Sequence, residues 1–119
     1  MKIYVSHSKE LNFIDELYKP IRESNLNSLH TFIFPHEGEE RLDVKEILKG
    51  CDLVIAEVSI PATGQGIELG WANMLGVPVV CISKEGSEIS RSLKYICEKF
   101  VTYKNSADMI TRISGLLPK

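Results

Sequence analysis

The chain has 119 residues, room for one domain around one core. Hydrophobic residues make up 44% and charged residues 25%, the ordinary balance of a soluble globular protein. A net charge of −2 excludes a sequence-independent nucleic-acid binder, which needs a basic surface, but leaves room for a small anionic ligand.

Short β-branched or aromatic runs alternate with segments of helical period, the pattern of a parallel sheet covered on both faces. The first strand is expected at Lys2–Ser6. Leu11, Ile14, Leu17, Tyr18 and Ile21 then recur at helical spacing. Pro20 lies inside that pattern and either kinks the helix or ends it near Tyr18. A strand over Thr31–Phe34 leads to a second helix that starts at Asp43 and carries Val44, Ile47 and Leu48. The third strand, Leu53–Val58, is followed by a helix after Gly66. Next come a strand over Val77–Ser83 and a fourth helix with Ile89, Leu93, Ile96 and Cys97 on one face. Strand Phe100–Tyr103 and a helix from Ser106 to Leu117, capped by Asn105 or Ser106, complete the chain.

These elements predict a single domain over residues 1–119, a three-layer flavodoxin- or Rossmann-like α/β fold with a five-stranded parallel sheet in the order 2-1-3-4-5. No apolar stretch approaches the ~20 residues needed to span a bilayer. The early first strand leaves no room for a signal peptide, so a cytoplasmic protein is expected, without membrane or nucleic-acid partners. Cys51, Cys81 and Cys97 form no CxxC pair, and no His stands at metal-ligand spacing from them. They are expected as buried thiols, with no metal and no cofactor.

In this topology ligands bind at the carboxyl edge of the strands. That edge carries Ser6, His7, Ser8 and Lys9; Pro35, His36 and Glu37; Asp43; Ser59 through Glu68, including Thr63, Gly64 and Gly66; and Ser83 through Ser92. Asp52 and His30 stand at strand beginnings, where Asp52 is expected as a structural turn or cap residue and His30 as a surface histidine. Glu57 is an acid in an apolar run, where an unpaired carboxylate is costly. It is either paired or at the last open position of its strand, facing the site, and is kept as a candidate substrate contact.

Glu68 is the expected catalytic carboxylate. In the first turn of a helix, the macrodipole and free N–H groups would favour its ionised form, each by roughly 0.3–1 kcal/mol. An ionised, positioned carboxylate can attack an anomeric carbon. The alternative is a first-turn acid that only complements the helix dipole. Gly64, Gly66 and Gly70 let backbone approach a ligand and let the helix lie close to the sheet.

The run Cys51-Asp52-Leu53-Val54-Ile55-Ala56-Glu57-Val58, then Pro61-Ala62-Thr63-Gly64-Gln65-Gly66-Ile67-Glu68-Leu69-Gly70-Trp71-Ala72, resembles the core motif of the nucleoside 2-deoxyribosyltransferase family. The likeness is nearest to the branch of 2'-deoxynucleoside 5'-phosphate N-hydrolases and continues through Gly76-Val77-Pro78-Val79-Val80-Cys81. It implies cleavage or transfer of the N-glycosidic bond of a 2'-deoxynucleoside or its 5'-monophosphate, with Glu68 attacking C1'. It further implies that Tyr4 orients Glu68, that Asp43 meets and protonates the departing base, and that Ser8 holds the 5' end. Ser92, or Ser90, would reach a neighbouring subunit's phosphate site, which implies a homodimer with shared sites. The first loop, Ser6-His7-Ser8-Lys9-Glu10, lacks the glycine or arginine expected in the phosphate-binding branch, and Lys9 replaces a bidentate guanidinium only in part. Ala62 stands where a serine is expected, next to Thr63.

Two other readings compete. Ile3-Tyr4-Val5-Ser6-His7-Ser8 looks like the opening strand and loop of TIR domains, some of which cleave NAD through one glutamate. The altered first loop also fits a non-catalytic nucleotide-binding or sensor module.

Overall fold

The computed structural model describes residues 1–97 and 99–118. Strands β1 (Lys2–His7), β2 (Thr31–Ile33), β3 (Leu53–Glu57), β4 (Val79–Lys84) and β5 (Lys99–Tyr103) form one sheet in the order β2-β1-β3-β4-β5. Every neighbouring pair is parallel. The expected fold class and strand order are the observed ones. The chain first moves outward from β1 to β2, then returns to place β3 on the other side of β1. The carboxyl ends of β1 and β3 therefore diverge into a crevice at the switch point of the topology.

Side chains alternate across each strand, so two cores form. Ile3, Val5, Leu53 and Ile55 pack with Leu17, Ile21, Met109 and Ile113 on one face. That face is covered by helices α1 (Lys19–Arg22) and α5 (Ser106–Leu116), with the short α2 (Leu26–Leu29) beside them. Tyr4, Val54, Ala56 and Cys81 pack on the other face against Leu48 of α3 (Val44–Lys49) and Leu69 and Ala72 of α4 (Thr63–Met74). Leu69 is fully buried, and burying a leucine contributes about 1.5–3 kcal/mol. The same alternation puts Ser6 on the α4 side with Tyr4, and His7 on the α1 side.

Three local expectations change. The chain stays helical past Tyr18. It takes a π-helical turn over Ile14–Tyr18, with the Lys19 N–H bonded to the Ile14 carbonyl, and continues as α1. The wider turn ahead of Pro20 removes the clash that its ring would make with an ordinary turn. The expected fourth helix is only a 3-10 turn, Arg91–Tyr95. Gly86 (φ +83) turns the chain after β4, and Ser90 is still extended, so little length remains before β5. Leu93 and Cys97 are buried there all the same, with Ile89 and Ile96 against them. Third, α4 begins at Thr63, one turn earlier than expected.

The end of α4 depends on one glycine. Gly76 has φ +75, its N–H bonds the Asn73 carbonyl (3.1 Å), and the Val77 N–H bonds the Ala72 carbonyl (2.9 Å). This closes the helix in a left-handed cap. Gly76→Ala is expected to cost about 1–2 kcal/mol from the left-handed backbone alone, read as a lower denaturation midpoint at unchanged slope. An unchanged midpoint would mean that the turn is not held in this form.

Candidate active site

Glu68 is half-buried at the base of a cavity of about 670 Å³ at the β1–β3 crevice. Both of its oxygens are held from below. The Tyr4 hydroxyl donates to Oε2 at 2.6 Å, and the Ser6 hydroxyl donates to Oε1 at 3.2 Å. The two donors lie two residues apart on β1, so the pleat aims both at α4. Burial of Tyr4, together with the neighbouring Glu68, pushes its phenol far above the usual range, so it stays a proton donor.

The helix boundary corrects one expectation. Because Thr63 opens α4 and extended Ala62 precedes it, Glu68 stands in the second turn, not the first. It does not gain the terminal N–H groups that would favour its charge. Its pKa is raised, chiefly by burial, against the lowering effects of the Tyr4 and Ser6 hydrogen bonds and the Lys9 charge.

The cavity brings together Glu68, Asp43, His7, Ser8, Lys9 and Gly64. Tyr4 and Ser6 lie beneath it and reach it through Glu68. Asp43 caps α3, its carboxylate accepting from the Glu46 N–H at 3.4 Å, and is exposed at the cavity edge. Ser8 Oγ accepts the Glu10 N–H at 3.1 Å, closing the first loop on itself. His7 Nδ1 donates to the Ser8 carbonyl (2.9 Å), so Nε2 is the acceptor for the Tyr18 hydroxyl (2.5 Å). Burial lowers the His7 pKa, which fits this neutral form. The Tyr18 hydroxyl also accepts the His36 N–H at 3.1 Å, tying the β1 and β2 loops together.

Four candidate contacts fall elsewhere. Thr63, Gly66 and Ser92 line a second cavity of about 480 Å³, which shares Pro61, Ala62 and Gln65 with the first. Glu57, kept as a possible substrate contact, borders neither cavity. It is buried, accepts the Ser59 N–H on Oε1 (2.6 Å) and the Ser59 hydroxyl on Oε2 (2.9 Å), and takes the Tyr103 hydroxyl on Oε2. Odd-numbered β3 side chains face the α1–α5 layer, away from Glu68, and Glu57 follows them. Asp52 is structural as expected, with Oδ2 accepting the Lys2 N–H at 2.8 Å.

No protein-family profile matches the chain. A protein of Thermofilum pendens named "Putative 2'-deoxynucleoside 5'-phosphate N-hydrolase 1" is 28% identical over 89 residues, a match covering 71% of this chain and 61% of that protein. This chain therefore aligns with less than two thirds of that relative's length. Among solved structures, the CMP N-glycosidase BcmB of Clostridium botulinum superposes with a TM-score of 0.69 at 18% identity, covering 98% of this chain and all of that one. A 2-deoxyribosyltransferase of Bacillus psychrosaccharolyticus gives a TM-score of 0.60 at 20% identity, over 92% of this chain and 90% of the other. The resemblance to the deoxyribosyltransferase family holds in sequence and in fold.

Sequence reasoning missed several walls of this crevice: Arg41, Lys45, Gln65 and Trp71. Lys45 Nζ lies 5.2 Å from the centre of the Trp71 ring, a cation–π contact. Lys9, Arg41 and Lys45 form no ion pair among the described residues. A signal for Arg41 was present, since the loop after β2 ends at the same sheet edge that singled out Asp43. Trp71 follows Glu68 by three residues on α4, the spacing that shares a helix face. Among the described residues no three His, Cys, Asp or Glu side chains gather as a metal site.

Proposed function

We propose that this protein is an enzyme that cleaves or transfers the N-glycosidic bond of a 2'-deoxynucleoside or its 5'-monophosphate, with Glu68 as nucleophile at C1'. The observation that carries this reading is the Glu68 carboxylate beneath an open cavity, held by Tyr4 and Ser6 through both oxygens. Its remaining lone pairs are free to attack. The bond from C1' to the base nitrogen breaks with its electron pair on the base, which takes a proton supplied at the Asp43 edge. Glu68 then holds the sugar as an ester. Water opens that ester in hydrolysis, and a second base opens it in transfer. His7, Ser8, Lys9 and Gly64 line the substrate's place.

The unpaired Lys9, Arg41 and Lys45 support extending the reading to 5'-monophosphates, and they make up for the missing arginine of the first loop. Thr63, Gly66 and Ser92 belong to the second cavity in this protomer, which accords with a homodimer in which Ser92 serves the neighbouring subunit. Light scattering on the purified protein tests that assembly, and a monomer at working concentration contradicts it. A cytoplasmic setting belongs to the same reading.

The assay is incubation with deoxynucleosides, ribonucleosides, their 5'-monophosphates and NAD, followed by chromatography for free base. Release from a deoxynucleoside or its monophosphate supports the proposal. Nicotinamide alone would favour the TIR-like reading, and binding without any release would favour a sensor module.

Tyr4→Phe supplies a pH test of the same reading. The substitution keeps the buried ring but removes a hydrogen bond that holds the Glu68 pKa down. A nucleophile must be ionised, so raising its pKa enlarges the inactive, protonated fraction at any given pH. The acid limb of kcat/KM should move to higher pH, with kcat lowered roughly 10–100-fold by the lost charge-assisted bond. A limb that stays in place would remove Tyr4 from the mechanism.

A further inference from the structure

Gln65 lies on α4 one turn before Glu68 and is 5% exposed. Its Nε2 donates to the Glu57 carbonyl at 2.8 Å. A carbonyl only accepts, so the amide has one orientation, NH₂ toward β3 and Oε1 away from it. Among the described residues no donor reaches Oε1. No buried side-chain polar atom among them is sealed off without a partner, so Oε1 opens into a cavity. Gln65 borders both cavities, the main one together with Glu68.

The geometry points to Gln65 as a specificity-determining residue whose Oε1 accepts a hydrogen bond from a sugar hydroxyl of the bound nucleoside. This inference rests on the functional reading given above. An acceptor cannot satisfy a phosphate or carboxylate oxygen, so this wall takes a donor. An anionic group belongs instead with Lys9, Arg41 and Lys45, which line the same cavity. Residues three apart share a helix face at a rise of about 4.5 Å. Gln65 and Glu68 therefore line the same cavity from neighbouring turns of α4. A site built to take a hydroxyl rejects the analogue lacking it, because its polar group is left unpaired.

The experiment compares wild type with Gln65→Met on a deoxynucleoside, on its 3'-deoxy and 5'-deoxy analogues, and on a substrate whose base lacks an exocyclic amine. Wild type should lose roughly 10–100-fold in kcat/KM on one of the two sugar analogues. Gln65→Met should show a similar loss on the parent substrate but no further loss on that same analogue, because the bond is already gone. If Gln65→Met does not fold, Gln65→Asn draws the amide back by one methylene and carries the same expectation. Equal losses by the variant on every substrate, or a loss that disappears only when the base amine is absent, would overturn the inference. Base release by wild type with no effect of Gln65 would overturn it alone. No release by wild type from any of the substrates would overturn the functional reading and this inference together.

Discussion

Glu68→Gln is expected to lower base release by several powers of ten while the protein stays folded. The amide keeps the size of the carboxylate and can still accept from Tyr4, but it cannot form the ester that splits the reaction in two. The effect on stability has the opposite sign. Burial raises the Glu68 pKa in the folded state, so this group favours folding most below its unfolded value. That contribution is lost as pH rises toward the raised, folded value. Gln imitates the protonated form at every pH. The variant should therefore melt above wild type at pH 7, and the gap should close on acidification. A rate loss below about tenfold would leave the nucleophile without support. A collapse of Tm would mean that the substitution had disturbed packing and said nothing about chemistry.

Tyr103→Phe is expected to do the reverse, lowering stability and sparing activity. The Tyr103 hydroxyl donates to Glu57 in the buried layer, and burial of the phenol followed by its contact with Glu57 raises its pKa, so it remains a donor. Removing it leaves Glu57 with Ser59 alone. A hydrogen bond to a charged group is worth about 1.5–3 kcal/mol, a fall in Tm of roughly 5–12 °C for a domain of this size. Because Glu57 borders neither cavity, KM and kcat per folded molecule should not change. An altered KM at an unchanged Tm would return Glu57 to the substrate.

The architecture was readable because each strand is a short run rich in β-branched or aromatic residues between breakers, and parallel sheets leave few topologies open. Tyr4 and Ser6 sit two apart on β1, so their shared face followed once the strand was placed. What failed was helix length. The residues from Thr63 to Gly66 looked like loop because two glycines disfavour helix, yet packing of Leu69 and Ala72 against the sheet drew the whole segment into α4. That single turn changed the electrostatics argued for Glu68, from a carboxylate held ionised by a helix end to one burdened by burial. Glu57 was left open at sequence level for a related reason. Its partners, Ser59 and Tyr103, include one that is 46 residues away, a pairing that no local pattern announces. Arg41 and Trp71 carried only the weaker signals of sheet edge and helix spacing, and it takes the folded crevice to bring the β2 loop against α4.

One measurement reaches the central claim most directly: intact-protein and peptide mass spectrometry after mixing the protein with deoxynucleosides and their 5'-monophosphates. The account predicts a mass increase of one deoxyribosyl unit, with or without its phosphate, on the peptide that contains Glu68, and none on Glu68→Gln. An adduct on any other residue, or rapid base release that Glu68→Gln sustains at the wild-type rate, would contradict it.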